Sequence, residues 1–222
     1  MKLYGFWRSL ATYRVRVALA LKGIEAEEVS IDILQGKQFT DEYKALNPQS
    51  VVPALVIDKE GPPLFQSLAI LEYLEDTVPQ PPLLPVDARG RARVRGLALI
   101  AVADGHPLIV PRIRGYLEKE MGLDEAARNK WLAHWTQKAL DAIETHLANE
   151  KDTGRYCHGD EPTIADICLA GQVIAATAYF KCDTSKTPVA MRIYNECMKL
   201  PAFANAHPSK QSGAPQHSLV TK

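Results

Sequence analysis

Cysteine is scarce in this chain, and neither sign of charge prevails. Among 222 residues there are four cysteines, and 26 basic side chains balance 26 acidic ones for a net charge of zero. That balance argues against a nucleic-acid partner, which needs a basic face to neutralise phosphates. The cysteines, Cys157, Cys168, Cys182 and Cys197, form no Cys-x-x-Cys pair, and no histidine cluster completes a zinc spacing. They read as buried free thiols of a reducing cytoplasm, not as a disulfide framework. A long apolar run is also missing. The most apolar stretch, residues 97–113, is broken by Asp104, Gly105, His106 and Pro107, so it does not cross a bilayer as a plain helix. The opening Met1-Lys2-Leu3-Tyr4-Gly5-Phe6-Trp7-Arg8 is too short an apolar run for a signal peptide. The expectation is a cytoplasmic protein with no membrane partner. What is present is ordinary globular composition, 46% hydrophobic and 23% charged, in a length that suits one large domain or two small ones. Residues 1–80 hold 8 basic and 11 acidic side chains, and the remainder is slightly basic. The excess in the second half suits a small anionic substrate, weakly.

The two halves differ in pattern. Residues 2–7 predict a short strand. The dense apolar run from Leu10 to Leu21, closed by Lys22-Gly23, predicts a helix ending on a C′ glycine. Val29, Ile31 and Ile33 alternate with polar residues as in a half-buried strand. Thr40 is placed to cap a short helix with Asp41 and Glu42 in its first turn, ending at Asn47-Pro48. Two short strands at 54–57 and 63–65 flank the turn Asp58-Lys59-Glu60-Gly61. Ser67 is then expected to cap a helix running to Glu75. The order β-α-β-α-β-β-α is complete within 80 residues. Four prolines between Pro79 and Pro85 rule out a continuing helix and mark a linker. Beyond it the pattern is helical at about 87–120, 124–149, 163–180 and 187–198, and the polar tail after Pro208 is expected to fray. The domain reading is residues 1–80, a linker at 81–86, and an all-helical domain over 87–222.

Several features bear on chemistry. Val52-Pro53 enters a strand; in this element order it matches the cis-proline of thioredoxin-like folds, which exposes the preceding backbone to an extended peptide. Gln66-Ser67 stands at a strand-to-helix junction, where free N–H groups bind a carboxylate. Ser9 stands at the first such junction, where the positive end of a helix lowers the pKa of a nearby thiol. Arg14 and Arg16 are two apart and face different sides of their helix. Thr163-Ile164-Ala165-Asp166 is a capping box, flanked by Pro162 and Ile167, and serves the fold, not the chemistry.

These motifs together resemble the zeta class of cytosolic glutathione transferases, whose signature is Ser-Ser-Cys-x-Trp/His-Arg-Val-Arg-Ile-Ala-Leu. The chain carries Ser9, Arg14-Val15-Arg16-Val17-Ala18-Leu19, Ala45-Leu46-Asn47-Pro48, Val52-Pro53, Gln66-Ser67-Leu68-Ala69-Ile70, Leu83-Leu84-Pro85 and Thr163-Ile164-Ala165-Asp166. The resemblance runs to about Phe203. It implies the glutathione-transferase fold, α/β plus all-α, with a thioredoxin-like N-terminal domain and a helical C-terminal domain. It implies glutathione as cofactor, a homodimer, and cis–trans isomerisation of a maleyl-type diacid to the fumaryl form. It further implies Ser9 as the thiolate-stabilising group. Gln38, Val52, Pro53, Gln66, Ser67, Asp104 and His106 would join Ser9 at glutathione, and Arg8 and Arg112 would hold the diacid. Leu10 and Ala11 replace the second Ser and the Cys of the signature, which disfavours dehalogenation by disulfide exchange. Tyr179 replaces an arginine found in maleylpyruvate-type members. Conjugation or reductive dehalogenation of a small electrophile, and a non-catalytic glutathione-transferase-like binding module, are the alternatives to isomerisation.

Overall fold

The computed structural model describes residues 1–58 and 60–215, and these divide into two units. The first opens with β1 (Lys2–Gly5), α1 (Leu10–Leu21) and β2 (Glu27–Ser30). A one-turn 3-10 helix (Lys37–Phe39) leads into α2 (Asp41–Leu46), and β3 (Ala54–Val56), β4 (Leu64–Phe65) and α3 (Ser67–Thr77) follow. The sheet order is β2-β1-β3-β4. β1 and β2 are parallel with Leu3 opposite Glu28, while β3 runs antiparallel to both β1 and β4. The alternating run at Val29, Ile31 and Ile33 is only partly strand. Ile31 and Ile33 lie beyond β2 and pack on a cluster of Phe6, Tyr43 and Val52.

α1 ends where its sequence indicates. Gly23 takes φ +66°, its N–H donates to Ala20 and the Ile24 N–H to Leu19, which closes the helix in a Schellman motif. Lys22, the C-cap, buries its ammonium against Glu75 at 2.6 Å and the Pro81 carbonyl at 2.7 Å. Gly5 ends β1 because a Cβ there would collide with the Thr12 side chain.

The domain division differs from the one the sequence suggests. The second unit spans Leu83–Leu200, and the described residues from Pro201 on join the first. The proline-rich segment therefore splits at 82/83, with Leu83 and Leu84 buried in the second unit. The reason for the late return is α9 (Pro201–Ala206), which packs on α1 with Phe203 fully buried. A 3-10 turn at Pro208–Lys210 follows. The polar tail expected to fray after Pro208 thus begins in a regular turn, and its last part, residues 216–222, lies outside the described residues.

The second unit contains α4 (Ala88–Leu99), α5 (Pro111–Lys119), α6 (Glu125–Asn149), α7 (Ile164–Ile174) and α8 (Pro188–Cys197). The helix expected over 87–120 is interrupted where Asp104, Gly105, His106 and Pro107 interrupt the pattern. A π-helical stretch (Ile100–Gly105) and a 3-10 turn (His106–Leu108) separate α4 from α5. Gly105 is needed there, since a Cβ would lie 2.7 Å from that of Ala139 on α6. The capping box opens α7: Asp166 accepts from the Thr163 N–H at 2.8 Å, the Thr163 hydroxyl at 2.7 Å and the Cys157 N–H at 2.7 Å. All four cysteines are free thiols, three of them buried.

Candidate functional site

In the first unit the polar groups of interest sit at two helix N-termini and one loop. Ser9 is the N-cap of α1, and its Oγ accepts the Thr12 N–H at 3.2 Å. That bond uses a lone pair and leaves the hydroxyl proton to be donated elsewhere; among the described residues it has no acceptor. Leu10, in place of the signature serine, is buried in the core.

The second N-terminus corrects one expectation. Ser67 does not cap α3; it is the first helical residue, and the N-cap position belongs to Gln66, at φ +66°. The Ser67 hydroxyl is instead turned into the unit, where it accepts from Nε of Arg14 at 3.0 Å. Arg14 is itself buried, so a side chain of α1 fixes the serine at the head of α3. The sequence treats Arg14 and Arg16 alike, and the structure separates them. Arg16 pairs with Glu28 through Nε at 2.8 Å and serves the packing of α1 on β2.

The loop before β3 is latched from behind. The Tyr43 hydroxyl and the Asn47 side-chain amide both donate to the Val51 carbonyl, at 2.7 and 2.8 Å. Burial pushes the Tyr43 phenol up to about 12, so it stays a donor at any physiological pH. The Val52-Pro53 bond is cis, as is Gln80-Pro81, which sequence reasoning does not anticipate. Among the described residues neither the N–H nor the C=O of Val52 has a hydrogen-bond partner. Gln66 donates to Gln49 Oε1 at 2.8 Å, which ties the head of α3 to the same loop. Gln38, just before α2, is buried, and its Oε1 has no partner. An unpaired buried oxygen and unpaired backbone groups are expensive unless a ligand or water satisfies them. The structure thus links Ser9, Val52, Gln66 and Ser67 through α1, the loop and α3. Of the residues that hold them, Arg14 and Asn47 stand in motifs that give them no such role, and Tyr43 and Gln49 stand in none.

In the second unit Asp104 lies exposed on the π-helical stretch, and half-buried His106 opens the 3-10 turn. Arg112, near the start of α5, is exposed, and its side chain has no partner among the described residues. Arg8, in the first unit, is partly buried on the turn before Ser9.

A sequence model described as "Glutathione S-transferase, N-terminal domain" matches residues 1–76, and its C-terminal counterpart matches residues 125–190. The chain belongs to the glutathione S-transferase family. It is 45% identical to the maleylpyruvate isomerase of a Ralstonia species over 95% of this chain and 98% of that protein. It is 40% identical to the Pseudomonas aeruginosa maleylacetoacetate isomerase over 97% and 99%. Among solved structures, the maleylacetoacetate isomerase of Methylobacterium extorquens, with malonate and glutathione bound, is 47% identical with a TM-score of 0.94. That match covers 97% of this chain and all of that one. A holo maleylpyruvate isomerase described as a bacterial zeta-class glutathione transferase is 44% identical at TM-score 0.92, with the same coverage. These relationships place the transferase in the zeta class.

Proposed function

We infer that this transferase is a glutathione-dependent isomerase that converts a maleyl-type diacid to its fumaryl form. The observation that carries the reading is a set of unsatisfied groups in the first unit. Among the described residues these are a hydroxyl proton on Ser9, an unpaired N–H and C=O on Val52 and an orphaned oxygen on Gln38. A γ-glutamyl tripeptide thiol satisfies each kind, offering a sulfur acceptor, an extended backbone and N–H donors. Full-length likeness to isomerases supports it, as does the binding of malonate, a dicarboxylate, and glutathione by the Methylobacterium relative.

Bound glutathione supplies a thiolate that adds to the conjugated double bond and leaves again, so it is not consumed. The Ser9 hydroxyl donates to the sulfur, and the positive end of α1 favours the thiolate. Val52 pairs with the peptide backbone beside cis-Pro53, and Gln38 accepts one of its N–H groups. Gln66 and Ser67 take the γ-glutamyl carboxylate at the head of α3. Asp104 meets the γ-glutamyl ammonium and His106 a carboxylate. Arg8 and Arg112 hold the carboxylates of the diacid, which keeps both ends fixed while the central bond rotates.

The test is conversion of a maleyl diacid with glutathione far below the substrate concentration. Complete conversion with undiminished thiol supports isomerisation; thiol loss matching product formation indicates conjugation and overturns it. Arg8→Ala and Arg112→Ala are expected to raise KM for the diacid with glutathione affinity unchanged, and equal loss of glutathione binding refutes their assignment. The same reading makes the enzyme a cytoplasmic homodimer, consistent with its free thiols and with exposed Phe65 and Leu99. Sedimentation as a monomer at micromolar concentration counts against the dimer.

A further inference from the structure

α5 carries Arg112 yet has little core of its own: of its nine residues only Leu117 is buried. It is held largely by α6, at both ends. Ahead of α5, the Trp131 indole N–H donates to the Leu108 carbonyl at 2.9 Å. At its far end, Glu118 pairs with Arg128 at 2.5 Å. Arg128 and Trp131 are three residues apart, so one face of α6 supplies both contacts. Trp131 is half-buried, and the Trp135 ring, tilted at 5.8 Å, packs beside its indole.

The path from Leu108 to Arg112 is short and stiff. The Ile109 N–H donates to the His106 carbonyl at 3.2 Å, and Pro111 opens α5. The Ile113 and Arg114 N–H groups then donate to the Val110 carbonyl at 3.0 and 3.1 Å. Movement of the Leu108 carbonyl is therefore passed to the first turn of α5. Exposed and without a partner among the described residues, Arg112 takes its position from the helix that carries it.

We propose that Trp131 is a positioning residue for diacid recognition: its indole N–H, acting through the Leu108 carbonyl, sets where Arg112 meets a substrate carboxylate. The proposal rests on the assignment of Arg112 to the diacid. Trp131 itself touches neither substrate nor glutathione in this scheme.

Trp131→Phe keeps an aromatic ring and deletes the N–H. Expected is a rise in KM for the maleyl diacid of about threefold to tenfold, the scale of one lost hydrogen bond. kcat and KM for glutathione are expected to stay near wild type. A general loss of stability would not show that split. In an Arg112→Ala background the second substitution should add nothing, since Trp131 acts only through Arg112. If Arg112→Ala leaves the diacid KM unchanged, the Arg112 assignment fails and this proposal falls with it. If Arg112→Ala raises KM but Trp131→Phe does not, this proposal alone is overturned. Multiplicative effects in the double variant overturn it too, because Trp131 would then act by another route. Should Trp131→Phe not fold, Arg128→Gln decides, since it releases the other end of α5. A selective KM rise then supports positioning by α6, and an unchanged KM refutes it.

Discussion

On the proposed function Ser9 performs two tasks with one hydroxyl, and substitutions can separate them. Its lone pair caps α1 through the Thr12 N–H, and its proton is available to a bound sulfur. Ser9→Ala removes both. Losing the cap costs about 1 kcal/mol, which lowers Tm by roughly 2–4 °C for a chain of this size. Losing a preorganised donor to a developing anion costs ~10²–10³ in kcat, or ~2.7–4 kcal/mol. The Leu10 and Ala11 N–H groups, orphans of the first turn of α1, cover part of that loss. The expected slowing is therefore at the lower end, about 10². Since each unit of pKa is worth about 1.4 kcal/mol, the pKa of bound glutathione should rise by at most about two. Ser9→Asp is the discriminating partner. Aspartate caps as well as serine does, but it has no proton to donate at neutral pH and places a negative charge beside the sulfur. It should keep wild-type stability and lose more activity than alanine. Thiolate absorbance on titration at saturating glutathione, read alongside thermal unfolding, separates the two effects. If Ser9→Asp restores both stability and turnover, Ser9 is only a cap. Tyr4 lies on β1, and Tyr13 is buried one turn into α1. If Tyr4→Phe or Tyr13→Phe abolished thiolate formation while Ser9→Ala was silent, the placement of the sulfur at Ser9 would be wrong.

Ser67→Ala should weaken glutathione binding by about 1.5–3 kcal/mol, the worth of a charge-assisted hydrogen bond. Because its hydroxyl caps nothing, far-UV circular dichroism should not change; an unaltered Kd by calorimetry refutes the γ-glutamyl placement. Arg14→Lys keeps the charge but loses the Nε–H that holds Ser67, so Kd should rise several-fold with turnover at saturation preserved, and no change in Kd would show that the bond is incidental. Asp166→Ala strands the Cys157 and Thr163 N–H groups in the interior at about 1–3 kcal/mol each. Its denaturant midpoint should fall steeply, and a midpoint near wild type would contradict the capping box.

What could be read from sequence was whatever depends on neighbours along the chain. The closure of α1 at Lys22-Gly23, the Thr40 cap of α2, the Asp58 turn and the box at Thr163 and Asp166 are local hydrogen-bond patterns with residue types to match. The break before α5 was legible for the same reason, since Pro107 lacks the N–H that a continuing helix needs and Gly105 beside it weakens the helix further. The misassigned Ser67 shows where local logic fails. A serine before a helix is most simply a cap, and only Arg14, 53 residues earlier, turns its hydroxyl the other way. The return of α9 to the first unit was hidden likewise. A six-residue helix has too short a pattern to announce its partner, and Phe203 is buried only because α1 offers it a face.

The same distinction orders the candidate site. Ser9, Val52, Gln66 and Ser67 were found as motifs because each sits where a helix begins or a strand is entered, positions that have sequence signatures. The contacts that hold them in place were not legible, because the partners are remote. Arg14 reaches from α1 to α3, and Gln66 reaches back to Gln49. Trp131 reaches across 23 residues to a backbone carbonyl, whose identity as an acceptor no side chain reveals. Substrate preference among maleyl diacids belongs to this second set. Arg112 is an exposed cation on a short helix, and the reach of its charge depends on what anchors that helix. Two enzymes with the same arginine and different anchors on α6 would grip diacids of different length. The place to seek that preference is therefore the face of α6 that carries Arg128 and Trp131, as much as the arginine itself.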